Sequence, residues 1–343
     1  PLNWGLGHTT RCIPIINALQ EFNFQPVIAS DGQSLELLKK EFPEIPSVEL
    51  PSYHITYPEK GSLLKWKLIF DSPKIIKAIK AEHRKVADIV KSFKIEGIIS
   101  DNRFGVYNKS VPSVFITHQL NVLSGATTWL TTKLHQRVIS KFDECWVPDV
   151  AQKPGLSGKL GHGTPLKIPV KYMGVLSRFK KEEREQTYDL LVLLSGPEPQ
   201  RTLLQDILLK ELKHFKGKVL FVGGLVEDEQ VRQQIGQITK VNYLLSEDLQ
   251  HTLNESKLVL SRSGYSTILD LAKLGKKGFF IPTSGQYEQM YLAQHLKHSG
   301  IASFALQNEF KLALLKEAET HTGFNMNAAS TDFEALFGLF QSE

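Results

Sequence analysis

The chain has 343 residues, 41% of them hydrophobic and 22% charged, with two cysteines and a formal net charge of +5. That length exceeds what one hydrophobic core usually organises, so two domains are expected, and the composition excludes a disordered chain and a disulfide scaffold. Basic residues are interleaved with acidic ones, which argues against nucleic acid as a partner and leaves phosphate-bearing substrates or anionic lipid.

A glycine loop follows Pro1 almost at once, and because such loops normally follow a strand, a first strand is expected just upstream of Pro1. From there short β-branched runs alternate with helix-period segments, the pattern of parallel sheets built from βαβ units. Strands are predicted at Gln25 to Ser30, Gly97 to Ser100, Ser113 to Thr117 and Glu144 to Val147. A second series follows at Asp189 to Leu194, Lys218 to Val222, Asn242 to Leu245, Leu258 to Leu260 and Gly278 to Ile281. Two Rossmann-like domains in series are expected, spanning 1–173 and 189–330, with a linker over 174–188 that contains the charge run Arg178 to Gln186. Helical periodicity over 331–343 predicts a C-terminal helix returning to the first domain. Gly155 to Lys159 lacks P-loop spacing and is expected to be plain loop.

No apolar run approaches the ~20 residues of a membrane span; Leu190 to Leu194 and Phe279 to Pro282 are expected as buried strands. Cys12 and Cys145 stand far apart with no ligand-like spacing, which fits a reducing, cytoplasmic compartment.

Asn3 to Thr10 forms a glycine turn leading into the apolar pattern Ile13, Ile16, Ala18 and Leu19. Exposed N–H groups at such a helix start favour an anion or a sugar oxygen. A dinucleotide reading finds an acid, Asp31, at the end of the next strand but lacks a third glycine at Thr10. The second constellation is Ser261 to Thr267, which follows a buried strand and opens a helix carrying Asp270. Small residues there leave room for a diphosphate against backbone amides, and a carboxylate one turn on can accept both ribose hydroxyls. After the next strand, ending at Pro282, Glu288 and Gln289 can grip sugar hydroxyls.

These segments resemble glycosyltransferase family 28. Gly5, Gly7 and His8 are similar to its N-terminal glycine loop, and His118 to Asn121 with Gly125 to its second N-domain motif. Ser195 to Arg201 resembles its first C-domain loop, and Arg262, Ser263, Gly264, Thr267, Asp270, Glu288 and Gln289 its donor-binding signature. The resemblance implies a GT-B α/β fold, two Rossmann-like domains facing across a cleft, with the acceptor side in the first and the nucleotide-sugar donor in the second. Asp270 would then bind ribose, Ser263, Gly264 and Thr267 would lie near the diphosphate, Gln289 would face the sugar, and backbone near Ser246 would meet the base. Ser195, Gly196, Arg201, Arg262 and Glu288 complete the implied substrate set, with His118 and Asn121 on the acceptor side. Three departures stand out: Pro197 and Pro199 remove backbone donors, Asp270 replaces the usual glutamate, and Met290 stands where the best-known member has a second glutamine.

The implied reaction is inverting transfer of a hexosyl or N-acetylhexosaminyl group from a UDP-sugar to a hydroxyl, with a lipid-linked or glycolipid acceptor. It needs one base and stabilisation of the leaving group. His8 is the candidate base, with Asp101 as rival and a helix cap as the structural alternative for the histidine. Helix-terminus amides can hold the diphosphate, and the sequence has no Asp-x-Asp tripeptide, so neither metal nor cofactor is expected. His118 and Asn121 serve equally well as loop staples, and His83, His214, His251 and His295 as surface histidines. Leu63, Leu64, Trp66, Leu68, Ile69 and Phe70, among Lys65, Lys67, Lys74, Lys77 and Lys80, form either core or a basic apolar face for the inner surface of the cell membrane. The alternative functions are a nucleotide-sugar 2-epimerase, which needs no acceptor, and a non-catalytic partner subunit that binds nucleotide sugar without turnover.

Overall fold

Both series of short apolar runs become parallel β-structure in the computed structural model, which describes residues 1–3, 6–53, 64–163, 165–196, 198–225, 227–325 and 331–341. Contacts divide these into unit 1, residues 1–53, 65–176 and 331–341, and unit 2, residues 177–325.

Unit 1 opens with α1 (Leu6–Glu21), followed by β1 (Ile28–Ser30), α2 (Gly32–Glu41) and β2 (Ser47–Glu49), with β1 and β2 paired in parallel. After α3 (Leu64–Ser92) come β3 (Ile98–Asp101), β4 (Ser113–Ile116), α4 (Thr128–Ile139), β5 (Glu144–Val147) and β6 (Val170–Tyr172); the four strands form one parallel sheet in sequence order. Leu2 N–H donates to the Asp101 carbonyl at 3.0 Å and Ser30 Oγ to the Pro1 carbonyl at 2.9 Å, so the first three residues lie between β1 and β3. On one side the order runs to β1 and β2, on the other to β3 and beyond. That reversal places the ends of these strands at a topological switch point, where open α/β sheets bind ligands.

Helix α1 is apolar on two faces because it is covered from two sides. Ile15 and Ala18 join Val114, Ile116 and Trp146, whereas Cys12, Ile13 and Ile16 join Ile28, Leu35 and Leu38. Each fully buried aliphatic side chain contributes about 1.5–3 kcal/mol, so α1 is fixed rigidly. The same core takes Leu336 and Phe337 from α9 (Phe333–Phe337), whose N-cap Asp332 accepts the Ala335 N–H at 3.0 Å.

Unit 2 comprises β7 (Tyr188–Leu193), α5 (Gln200–Leu212), β8 (Val219–Val222), β9 (Arg232–Ile235), β10 (Ile238–Val241), α6 (Ser246–Asn254), β11 (Ser256–Ser261), α7 (Tyr265–Leu274), β12 (Lys277–Phe280), α8 (Tyr287–His298) and β13 (Ser303–Phe304). Its sheet order is β13-β12-β11-β7-β8-β10-β9, parallel except for β9. Leu190, Leu191 and Val192 of β7 are all buried, as a central strand covered on both faces requires. Leu204, Leu208 and Leu212, at helical spacing of four, turn one face of α5 into this core. Helix α7 ends at Gly275, whose φ of 66° is left-handed and suits glycine. The order reverses between β7 and β11, which sets the switch point of unit 2 at the loops after those strands.

One predicted strand is displaced. Asn242 to Leu245 is the loop into α6, and the strand is β10, four residues earlier. Asn242 closes that loop by accepting the Val231 N–H at 2.8 Å. The short strands β2, β6, β9 and β13 escaped the sequence because their pairing, rather than their composition, defines them. Among the described residues no helix is long and apolar enough to cross a membrane.

Candidate active site

At the switch point of unit 1, α1 presents His8 and Arg11 on one face, as their spacing of three dictates. Asp101 closes β3 against them. His8 Nδ1 lies 2.7 Å from Asp101 Oδ1, and Arg11 forks onto the same carboxylate through Nε and Nη2. Arg11 Nη2 is also 2.8 Å from His8 Nδ1, and its Nη1 is 3.2 Å from His118 Nδ1. The two rival bases of the sequence are therefore one hydrogen-bonded pair. His118 shares their arginine. Arg11 and Asp101 are 3% and 1% exposed, so the cluster is buried behind His8. Burial alone would raise the Asp101 carboxyl, but the Arg11 charge and His8 outweigh it and hold it well below the usual range. Burial and then Arg11 push the His8 imidazole below its ordinary value, against the pull of Asp101. His135 of α4, which faces His118, is pushed down to about 4, first by burial and then by that neighbour.

Other predicted residues of unit 1 have structural work. Gly7 accepts from Thr10 Oγ1 at 3.2 Å within the first turn of α1; Gly5 lies outside the described residues. Asn121 Nδ2 donates to the Lys159 carbonyl at 2.7 Å and its N–H to Leu160 at 3.0 Å, so it staples the 156–163 loop. Asp31 is buried and bound by Arg103 Nη1, which removes it as a ribose acid and with it the dinucleotide reading. A hollow of about 840 Å³ runs along β1 and β3 and is walled mainly by aliphatic side chains such as Ile15, Ile16, Val90 and Ile99. The polar chemistry is concentrated at the end of β3.

In unit 2 the loops after β7 and β11 flank the switch point. Gly196 has φ +107° and Gly264 caps α7 with φ −71°; a Cβ built on either meets nothing within 4 Å. Backbone there is open to close approach. The first turn of α7, at Tyr265, Ser266 and Thr267, lies at the positive end of the helix dipole. Ser263 Oγ donates to the Gln289 carbonyl at 2.8 Å, and Gln289 Oε1 accepts the Thr283 N–H at 2.8 Å, which ties the α8 start, with Glu288 in its first turn, to the α7 loop. Asp270 accepts from Ser177 Oγ at 2.6 Å, and burial, opposed by the Arg178 charge, pushes its carboxyl up to about 6. Arg178 Nη1 donates to Ser246 Oγ at 2.8 Å at the start of α6.

Two arginines read as ligand groups are loop staples instead. Arg262 is 2% exposed and donates to the carbonyls of Ile281, Pro282 and Gln200. Arg201 donates to Gly223 O at 3.0 Å and pairs with Glu198. Ser195 opens the β7 loop beside Gly196, where its side chain is half-buried. Conversely, Arg11, Ser177 and Arg178 stand at the sites and were not selected from the sequence. Arg178 was hidden at the edge of a charge run, and only its contact with Ser246, 68 positions on, reveals it.

Residues 191–334 match the glycosyltransferase family 28 C-terminal domain. The UDP-N-acetylglucosamine--N-acetylmuramyl-(pentapeptide) pyrophosphoryl-undecaprenol N-acetylglucosamine transferase of Clostridium tetani is 25% identical over 320 residues, covering 88% of this chain and 83% of that one. The fold is shared with MurG of Acinetobacter baumannii, at a TM-score of 0.53 and 15% identity over 92% of this chain and 89% of that one. It is likewise shared with the spinosyn forosaminyltransferase SpnP, at a TM-score of 0.61 and 10% identity over 97% and 96%.

Proposed function

We propose, for a chain that is a MurG-like glycosyltransferase of family 28 with the GT-B fold, that it moves a hexosyl or N-acetylhexosaminyl group from a UDP-sugar to a hydroxyl of a lipid-linked acceptor. The observation that carries the donor half is the α7 start: open backbone at Gly264, the positive end of the α7 dipole for a diphosphate, and Asp270 one turn on. Asp270 accepts the ribose hydroxyls, exchanging the Ser177 hydroxyl for them. Arg178, already aimed at Ser246, brings a fixed cation to the same loops and offsets the charge of the leaving diphosphate. Helix amides and arginine thus meet the charge that a divalent cation meets in metal-using transferases. Ser263, Thr267, Glu288 and Gln289 shape the sugar and phosphate side.

His8 is the base. With Nδ1–H donated to Asp101, its Nε2 lone pair takes the acceptor hydroxyl proton as the oxygen attacks the anomeric carbon. The bond from that carbon to the diphosphate oxygen breaks, UDP leaves with the electron pair, and configuration inverts. Asp101 orients the ring through that hydrogen bond.

The acceptor reading extends to the membrane. On α4, Trp129, Leu130 and Leu134 are 69%, 51% and 52% exposed, with Lys133 Nζ 4.4 Å above the Trp129 ring and Arg137 one turn on. No acidic residue occurs from Asn102 to Phe142. An exposed apolar stripe in a purely basic segment fits the headgroup boundary of an anionic bilayer. The α3 start, singled out in the sequence, lies partly outside the described residues; Lys74, Ile76, Lys77 and Lys80 beyond it are exposed.

The test is a turnover screen against UDP-, GDP- and TDP-sugars with and without crude membrane lipid. UDP release only with a UDP-sugar and lipid, cut ~10²–10⁴-fold in His8→Ala with UDP binding retained, is expected. Acceptor-free sugar conversion would identify an epimerase, and binding without turnover a partner subunit; either result overturns the transferase reading. Loss of anionic-vesicle pelleting in Trp129→Ser is expected for the membrane contact.

A further inference from the structure

Arg11 has a larger part than its salt bridge suggests. Nδ1 of His8 faces two groups with opposite demands. Asp101 Oδ1 at 2.7 Å accepts a proton from it, whereas Arg11 Nη2 at 2.8 Å donates towards it. Were Arg11 to win, the ring proton would sit on Nε2 and the base would be blocked. The fork decides the contest: Nε and Nη2 of Arg11 both close on the Asp101 carboxylate, and Nη1 turns towards His118 Nδ1. With its donors drawn to the carboxylate, Arg11 leaves the His8 Nδ1–H free to share Oδ1.

We propose that Arg11 is a positioning residue for the base, which locks Asp101 against His8 and keeps the imidazole neutral with its proton on Nδ1. The inference rests on His8 acting as the base. A carboxylate alone would hold an imidazolium beside it, and a guanidinium within the same contact cancels that attraction. The groups that face His8 are Arg11 from its own helix, Asp101 from β3 and His118 from the loop after β4. The Cys12 thiol lies behind Asp101 at 3.6 Å and His135 of α4 behind His118. Arg11 is the only cation within the set held charged at all working pH values.

The experiment is NMR titration of the full chain with ¹⁵N- and ¹³C-labelled histidine, with His8 assigned through His8→Gln, for wild type, Arg11→Met and Arg11→Lys. Wild-type His8 should titrate below about 6.5, with nitrogen shifts of a bare Nε2. Arg11→Met should raise proton affinity at least tenfold, about one pH unit or more. Arg11→Lys, which keeps the charge and loses the fork, should stay nearer wild type in titration while kcat falls. A wild-type value above about 6.5, or a proton on Nε2, overturns the proposal even if Arg11→Met does not fold. So does an unmoved titration in Arg11→Met. If the NMR titration moves but the acid limb of kcat/KM does not, Arg11 acts as inferred and His8 is not the base.

Discussion

Replacing Asp270 by asparagine should make the ligand-free chain more stable and the nucleotide site weaker. The carboxyl titrates at about 6 in the folded chain against an ordinary 3.8, because burial opposes its ionisation more than Arg178 favours it. For an acid raised in this way the folded state binds the proton more tightly, so stability is lost as pH rises between those values. Below about 4 there is no cost; above about 6 it is complete, at roughly 3 kcal/mol. Asparagine retains an acceptor for Ser177 Oγ and carries no charge. In chemical denaturation at pH 8, the unit 2 transition of Asp270→Asn should gain roughly 2–3 kcal/mol, with a Tm rise of about 4–12 °C. The advantage should vanish at pH 4. UDP should stabilise the variant far less, with affinity down at least about tenfold, since hydrogen bonds to an ionised acceptor contribute about 1.5–3 kcal/mol. Equal stability at pH 8, or an undiminished UDP response, would refute the argument.

Gly264→Ala should fold normally, since φ is −71° and no atom lies within 4 Å of the new Cβ, at a cost of about 0.5–1 kcal/mol for the poorer N-cap. Calorimetry with UDP should nonetheless show affinity down about tenfold or more, because the methyl fills space that the diphosphate needs. Phe337→Ala removes a fully buried ring that packs at 5.6 Å on Phe24 and 6.3 Å on Trp146. It should cost unit 1 about 3–5 kcal/mol, read as an earlier Trp146 fluorescence transition with UDP binding by unit 2 unchanged.

The turn at Gly264, the α7 start and the place of Asp270 on α7 were legible in the sequence because they depend on local grammar: a buried strand, a glycine turn and a helix within about ten residues. Long-range pairing was not. Arg11 meets Asp101 across 90 positions, and nothing in the run Thr10, Arg11, Cys12 distinguishes it from an ordinary helical arginine. Arg262 and Arg201 failed in the opposite sense. A motif marks an arginine as important but not whether its guanidinium faces ligand or backbone carbonyls, and here the carbonyls hold both. The misplaced strand has the same origin, since Thr239 and Lys240 look unlike a core strand until β8 and β9 flank them.

The return of α9 to the first unit sets an order of events during synthesis. Leu336 and Phe337 complete a core whose other walls, Ile15, Val114 and Trp146, leave the ribosome roughly 190 to 320 residues earlier. Until the last segment arrives, unit 1 waits with an uncovered aromatic hollow, while unit 2 between them has every strand it needs. A chain interrupted after unit 2 would therefore carry a folded unit 2 and an unfinished unit 1, and its exposed apolar surface would mark it for chaperones and proteases. Because the five residues of α9 follow unit 2 in the chain, unit 1 is begun before unit 2 and completed after it.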